Sequence, residues 1–237
     1  MAMDLYKRLI DQAHDTDVVT SIGFAGLAEP LLDRFIVERV QYARSLRDWV
    51  IDIYTNGVYC TPKQFDALRA AGLSRLTFSL NAVRSEQHDK IMGLKGKFQI
   101  VCDNIKYAIK NAGSVKVMVH TVVDGEHFTN DDAFIFGQIW REHSKLVWEG
   151  NWVGDKKVER KIDYNAPCFR ATDQVTVSSE GIVNMCCVDP FGKYRFGDLK
   201  VNTLREIYNS PQYMAFRSLH VNNQAAQHPA CGTCSRR

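Results

Sequence analysis

The feature that most constrains this chain is a repeated alternation of short apolar runs with helical patterns over residues 1–150. The runs are "VVTSIGFA" (18–25), "VIDIYTNG" (50–57), "LSRLTFSL" (73–80), "SVKVMVHTVV" (114–123) and "KLVWEG" (145–150). Each is short and apolar on both faces, which suits strands of a parallel sheet covered by helices. The step between units, roughly 25 residues, is that of βα repeats. The intervening stretches carry helical periodicity. Leu5, Leu9 and Ala13 recur at helical spacing ahead of the first run. Pro30 stands where a helix would begin, with Leu32, Ile36, Val40 and Ala43 as its apolar face. Thr61-Pro62-Lys63-Gln64 has the form of a capping box, with Gly72 as the stop. Val101, Ile105 and Ala108 mark a further helix that ends near Gly113, and another is expected over about 130–143.

The alternation ends at residue 150. Residues 151–165 are polar and read as a linker. Residues 166–237 have another character: a hairpin turned at Glu180-Gly181, a helix opened by the capping box Thr203-Leu204-Arg205-Glu206, and five of the seven cysteines. The expected organisation is therefore an α/β domain over 1–150, a linker over 151–165 and a small α+β cysteine-rich domain over 166–237.

A net charge of +3 on 237 residues is too small to argue for nucleic acid or a membrane surface. No apolar run reaches the ~18 residues of a membrane span. The start, "MAMDLYKRLIDQAHD", lacks the apolar centre of a signal peptide. The expected setting is the cytoplasm, where seven cysteines point to metal or cluster ligation rather than a disulfide framework.

Cys168, Cys186, Cys231 and Cys234 are the expected ligands. Their spacing is C-x12-G-x4-C, a gap, then C-x2-C. A hairpin after Cys168 would return Cys186 to its side, and a C-terminal turn containing Gly232 would close the second pair over both. Four thiolates suffice for a tetrahedral zinc or a [4Fe–4S] cluster. Cys187, expected to point the other way along a strand, is a packing residue or an alternative ligand.

The segment "CFRATDQVTVSSEGIVNMCCVDPFGKYRFGDLKVNTLREIYNSPQYMAFRSLH", followed by "CGTC", resembles the SPASM or twitch-type auxiliary-cluster domain of radical S-adenosylmethionine (SAM) proteins. Upstream, "GFAGLAEPLL", "YTNG", "LTFSLNA" and "HDKIMGLKGKFQIVCDNI" are similar to consecutive stretches of that superfamily's barrel. The resemblance implies a partial (β/α)6 TIM-like barrel with SAM at the C-terminal ends of its strands. It implies an auxiliary [4Fe–4S] cluster, an electron donor, and a substrate that is a peptide or a small molecule. Carried over by position, Ala28 and Glu29 meet the methionine amino group, Ser79 meets the carboxylate or ribose, and Asn56 sits in the turn after the second run. The superfamily's C-x3-C-x2-C motif does not occur in the sequence, so the reading is of a barrel lacking its first strand, by truncation or, as the alternative, by degeneration, and the chain as given is expected to be inactive in SAM cleavage. The expected activity of the full-length form is hydrogen abstraction by a 5′-deoxyadenosyl radical. The rival reading is a non-enzymatic binding protein with a structural zinc at the C-terminal cysteines.

Among the remaining residues, His120 lies in a strand and reads as a satisfied core residue, the alternative being that it faces the barrel interior and contacts cofactor or substrate. His14, His88, His127, His143, His220 and His228 show no metal-ligand spacing. Trp140 and Trp148 read as core, and Trp152 as an interdomain contact.

Overall fold

A computed structural model describes residues 1–148, 167–189 and 191–234. The expected linker and Trp152 lie outside the described residues. The elements in chain order are α1 (Met3–His14), β1 (Ser21–Phe24), a 3-10 turn (Pro30–Leu32), α2 (Ile36–Leu46), β2 (Val50–Thr55), α3 (Pro62–Ala70), β3 (Arg75–Ser79), α4 (Ser85–Met92), α5 (Phe98–Lys110), β4 (Lys116–Val123), α6 (Asn130–Trp140) and β5 (Ser144–Trp148). They continue with α7 (Phe169–Thr172), β6 (Thr176–Val177), β7 (Ile182–Asn184), β8 (Arg195–Asp198), α8 (Leu204–Tyr208) and α9 (Pro211–Val221). Two compact units result, one of residues 18–149 and one of residues 1–17 with 150–237.

The first unit is a five-stranded parallel sheet in the order β1-β2-β3-β4-β5. Sequential order is the singly wound arrangement of barrels, in contrast to the reversal of doubly wound sheets. Burial follows the pleat. Ile51 and Ile53 on β2, Leu76 and Phe78 on β3, and Val117 and Val119 on β4 are buried, as are Val40, Phe65, Leu68, Val101, Ile105 and Phe136 on the helices. Each such side chain contributes about 1.5–3 kcal/mol by burial. The alternate positions Asp52, Tyr54, Arg75, Ser79, Met118 and His120 are only half-buried. The sheet thus has one dry face under its helices and one polar face, on which Arg75 Nε meets Asp52 Oδ1 at 2.9 Å. His120 pairs in register with Ser79 and lies on the polar face.

Two helix expectations are corrected. The helix expected from Pro30 is broken. Pro30–Leu32 form only a 3-10 turn, because Asp33 Oδ1 accepts from Phe35 N–H (2.9 Å) and restarts the helix, while Oδ2 accepts from Arg39 Nε (2.7 Å). Leu32 is consequently 61% exposed, and Leu31 is buried instead. At Thr61 only one arm of the expected box forms, Thr61 Oγ1 accepting from Gln64 N–H at 3.3 Å.

The second unit pairs β6, β7 and β8 in an antiparallel sheet. Its hairpin turns at Gly181, whose φ of +89° favours glycine. Helix α1 belongs to this unit, whereas the sequence reading placed it with the parallel sheet. Its buried stripe is Tyr6, Ile10 and Ala13. The Arg8 guanidinium donates to the Leu199 carbonyl, and Gln12 Oε1 accepts from Leu204 N–H at 2.6 Å. That second bond satisfies an orphan donor at the start of α8, where Thr203 and Glu206 complete the expected capping box.

Candidate functional site

Cys168, Cys186, Cys231 and Cys234 line one cavity of about 20 Å³. Each is delivered by a different local device. Cys168 precedes α7, its carbonyl accepting from Ala171 N–H at 2.8 Å. Cys186 lies just beyond β7. Cys231 and Cys234 flank a tight turn in which Gly232 N–H donates to the His228 carbonyl (2.8 Å) and Cys234 N–H to the Cys231 carbonyl (3.2 Å). A Cβ at residue 232 would stand 2.6 Å from the Ala226 carbonyl oxygen, so this turn requires glycine for close backbone approach. The other walls are mainly apolar: Ala171, Met185, Val188, Phe216 and Ala230, with Arg170 and His220.

Burial pushes the Cys186 thiol up to about 12, as do the negative charges of Cys187 and Cys234, while hydrogen bonds from Val188 and Asp189 pull the other way. A thiolate in such a place needs cationic compensation, which a metal centre supplies. The donor set therefore fits a thiophilic centre. Among the described residues no three His, Cys, Asp or Glu side chains form a single-ion group. A lone tetrahedral zinc, with Zn–S of about 2.3 Å, would need its sulfurs roughly 3.8 Å apart. Four thiols on one cavity are also the donor set of a [4Fe–4S] cluster.

Cys187 is exposed and does not line the cavity. The expectation that it points away along a strand is corrected, since β7 ends at Asn184 and Cys187 sits in the following turn. Cys60 and Cys102 are buried in the other unit. Burial raises their thiols to about 12 and about 11, respectively, with the Glu29 charge adding to the first. They are packing residues.

At the C-terminal ends of the strands, Glu29 is the organising side chain. Its Oε1 accepts from Leu31 N–H (3.0 Å) and the Thr55 hydroxyl (2.6 Å), and its Oε2 from Asn56 N–H (2.7 Å). The carboxylate caps the 3-10 turn and clamps the loop after β1 to the end of β2. A carboxylate has about four acceptor positions, so one remains open to an ammonium group. Asn56 Oδ1 accepts from Val58 N–H at 3.0 Å, an Asx turn that shapes the loop. Ala28 is exposed beside Glu29, and half-buried Ser79 ends β3, one residue past Phe78, which pairs with Thr55. Beyond β3 and β4 a second bracket holds the loops. Asp132 accepts from Arg84 Nη1 (2.8 Å), Gln87 Nε2 (2.9 Å) and Thr129 N–H (3.0 Å), and Gln87 Nε2 also donates to the His127 carbonyl (2.7 Å).

Sequence reasoning missed two participants. Thr55, within the quoted "YTNG", holds Glu29. His220 adjoins Cys231, with no local sequence signal for the encounter.

The chain is similar to known proteins along most of its length. The model of the SPASM iron-sulfur cluster-binding domain matches residues 168–235. Over 235 residues, 98% of this chain and 79% of the relative, the chain is 23% identical to the S-adenosyl-L-methionine-dependent 2-deoxy-scyllo-inosamine dehydrogenase of Niallia circulans. Among solved structures it resembles BtrN in complex with AdoMet and 2-DOIA, with a TM-score of 0.66 and 20% identity over 100% of this chain and 80% of that one. It also resembles anSMEcpe with bound AdoMet and Cp18Cys peptide, with a TM-score of 0.73 and 14% identity over 100% of this chain and 81% of that one. The model of the radical SAM superfamily matches residues 1–133, more than half of the chain, and the protein belongs to that superfamily.

Proposed function

We propose that this chain provides the cofactor scaffold and auxiliary-cluster domain of a radical SAM enzyme acting on a peptide or small-molecule substrate. The observation that carries the reading is the meeting of Cys168, Cys186, Cys231 and Cys234 on one apolar-walled cavity. These four thiolates would hold an auxiliary [4Fe–4S] cluster. In the other unit, Glu29 would accept from the methionine ammonium of SAM, oriented by Thr55 and the Asn56 and Leu31 amides. Ala28 leaves that approach unobstructed, Asn56 shapes the floor, and Ser79 would donate to the carboxylate or ribose. The bound cofactors supply electron transfer and hydrogen-atom abstraction; the chain's own residues bind, orient and exclude water. The relatives that support the substrate class are a dehydrogenase of a small cyclic amine and a protein solved with a peptide.

Anaerobic reconstitution with iron and sulfide tests the reading. About four irons and four acid-labile sulfides per chain are expected. Cys186→Ala and Cys231→Ala should lose most of that iron, and Cys60→Ala should keep it. Zinc without sulfide, or equal loss in all three variants, overturns the assignment.

A further inference from the structure

We infer that His220 is a tuning residue of the auxiliary cluster, donating a hydrogen bond from Nε2–H to the Cys231 sulfur and thereby raising the cluster's reduction potential. The inference rests on the cysteine assignment above and goes beyond it, since the C-x12-G-x4-C and C-x2-C pattern contains no histidine.

Three observations carry it. First, His220 Nε2 stands 3.5 Å from Cys231 Sγ, within the longer reach of a hydrogen bond to sulfur. A ligating thiolate has no proton to give, so in the loaded protein Nε2 must be the donor. Second, the imidazole is 1% exposed and shares the cavity wall with all four cysteines. Water is therefore not a competing donor, and a hydrogen bond in such low-dielectric surroundings is strengthened. Third, the ring is held in place. It sits one helical turn after Phe216 on α9, with ring centroids 5.0 Å apart at 67°, and Phe216 is braced in turn by His228 at 5.2 Å and Phe196 at 5.3 Å.

The physical consequence follows from charge. Reduction adds one electron to the iron–sulfur core, and part of that charge appears on the ligating sulfurs. A donor aimed at Cys231 stabilises the reduced state more than the oxidised one, and hydrogen bonds to the sulfurs are among the determinants of cluster potential. His220 touches no substrate and acts only through Cys231.

The test is a potentiometric titration of the reconstituted chain, followed by electron paramagnetic resonance, on wild type, His220→Leu and His220→Gln. The leucine variant should keep its iron and move its midpoint to a more negative potential. The glutamine variant, which retains an N–H donor, should recover most of the shift. A second arm reads the contact in the wild type itself. In chains labelled with 15N-histidine, the reduced cluster should show a weak nitrogen coupling that disappears in His220→Gln. A wild-type chain that binds no iron overturns the cysteine assignment and this inference with it. A loaded wild type without the nitrogen coupling, or a loaded His220→Leu with an unshifted midpoint, overturns the role of His220 alone.

Discussion

Glu29 carries three hydrogen bonds on one carboxylate, from the Leu31 and Asn56 amides and the Thr55 hydroxyl. This gives the residue two separable roles. As a clamp it contributes to folding, and as an oriented anion it is the proposed receptor for an ammonium. Glu29→Gln keeps the shape and one acceptor oxygen but removes the charge. It should weaken SAM binding by about tenfold or more, the size of a lost hydrogen bond to a charged group, and also lower the melting temperature, because one of the three donors loses its acceptor. Calorimetry with SAM beside a thermal melt separates the roles. Unchanged affinity would leave Glu29 as the clamp alone.

At the scale of elements, the loops after β3 and β4 depend on two carboxylates. Burial alone would raise both. In Asp124 it is outweighed by hydrogen bonds from the Phe128, His127 and Glu126 amides and the His127 ring. In Asp132 it is outweighed by Thr129, Arg84 and Gln87. Both therefore ionise more readily folded than unfolded. Their stabilisation is present above the unfolded carboxylate value of about 3.9 and is lost as pH falls through the lower folded values. Asp132→Asn should flatten that acid limb. At neutral pH it should cost about 2–3 kcal/mol, because the Thr129 amide and Gln87 lose a charged acceptor. Urea midpoints measured from pH 7 down to 3 check both statements.

The elements were legible in the sequence to differing degrees, and for physical reasons. The five parallel strands were readable because their short runs are rich in apolar and β-branched residues, as in "VIDIY" and "LTF", although burial proves heavier on one face, where both were expected to be buried. The four cysteine ligand candidates were readable because thiols at these spacings have few other uses. Leu32 misled because its periodicity fits a continuous helix, and only the bonds Asp33 makes to Phe35 and Arg39 show why the helix restarts. Strand β8 went unread because "RFGD" is short and carries a glycine; that glycine is required, since a Cβ on Gly197 would meet Ile207 Cγ1 at 2.7 Å. His220 was invisible for a related reason. Its partner lies 11 positions away on an irregular segment, and no local pattern encodes the encounter.

At the scale of the whole molecule, the partition of the chain is itself informative. Residues 18–149 form one unit as a continuous stretch, whereas the other unit needs both residues 1–17 and residues 150–237. The bonds that bring α1 into its unit, Arg8 to Leu199 and Gln12 to Leu204, span 191 and 192 positions. Sequence periodicity cannot reveal such a partner, because the stripe Tyr6, Ile10 and Ala13 would suit many apolar surfaces. On a ribosome the order of synthesis then matters. At 5–20 residues per second, α1 emerges roughly 10–40 s before the segment it docks on. The parallel sheet, with all its strands already made, can complete itself in that interval. Stalled nascent chains ending near residue 195, which have β5 outside the ribosome but not yet Leu199 and Leu204, should accordingly show a protease-resistant sheet with α1 still cleavable, and release of the full chain should protect α1. Protection of α1 in the stalled chain would contradict this order. Until residues 199–204 are made, α1 is an unclaimed amphipathic segment of the kind that holdase chaperones retain, so the maturation of the cysteine unit waits for two segments that lie some 190 positions apart in the chain.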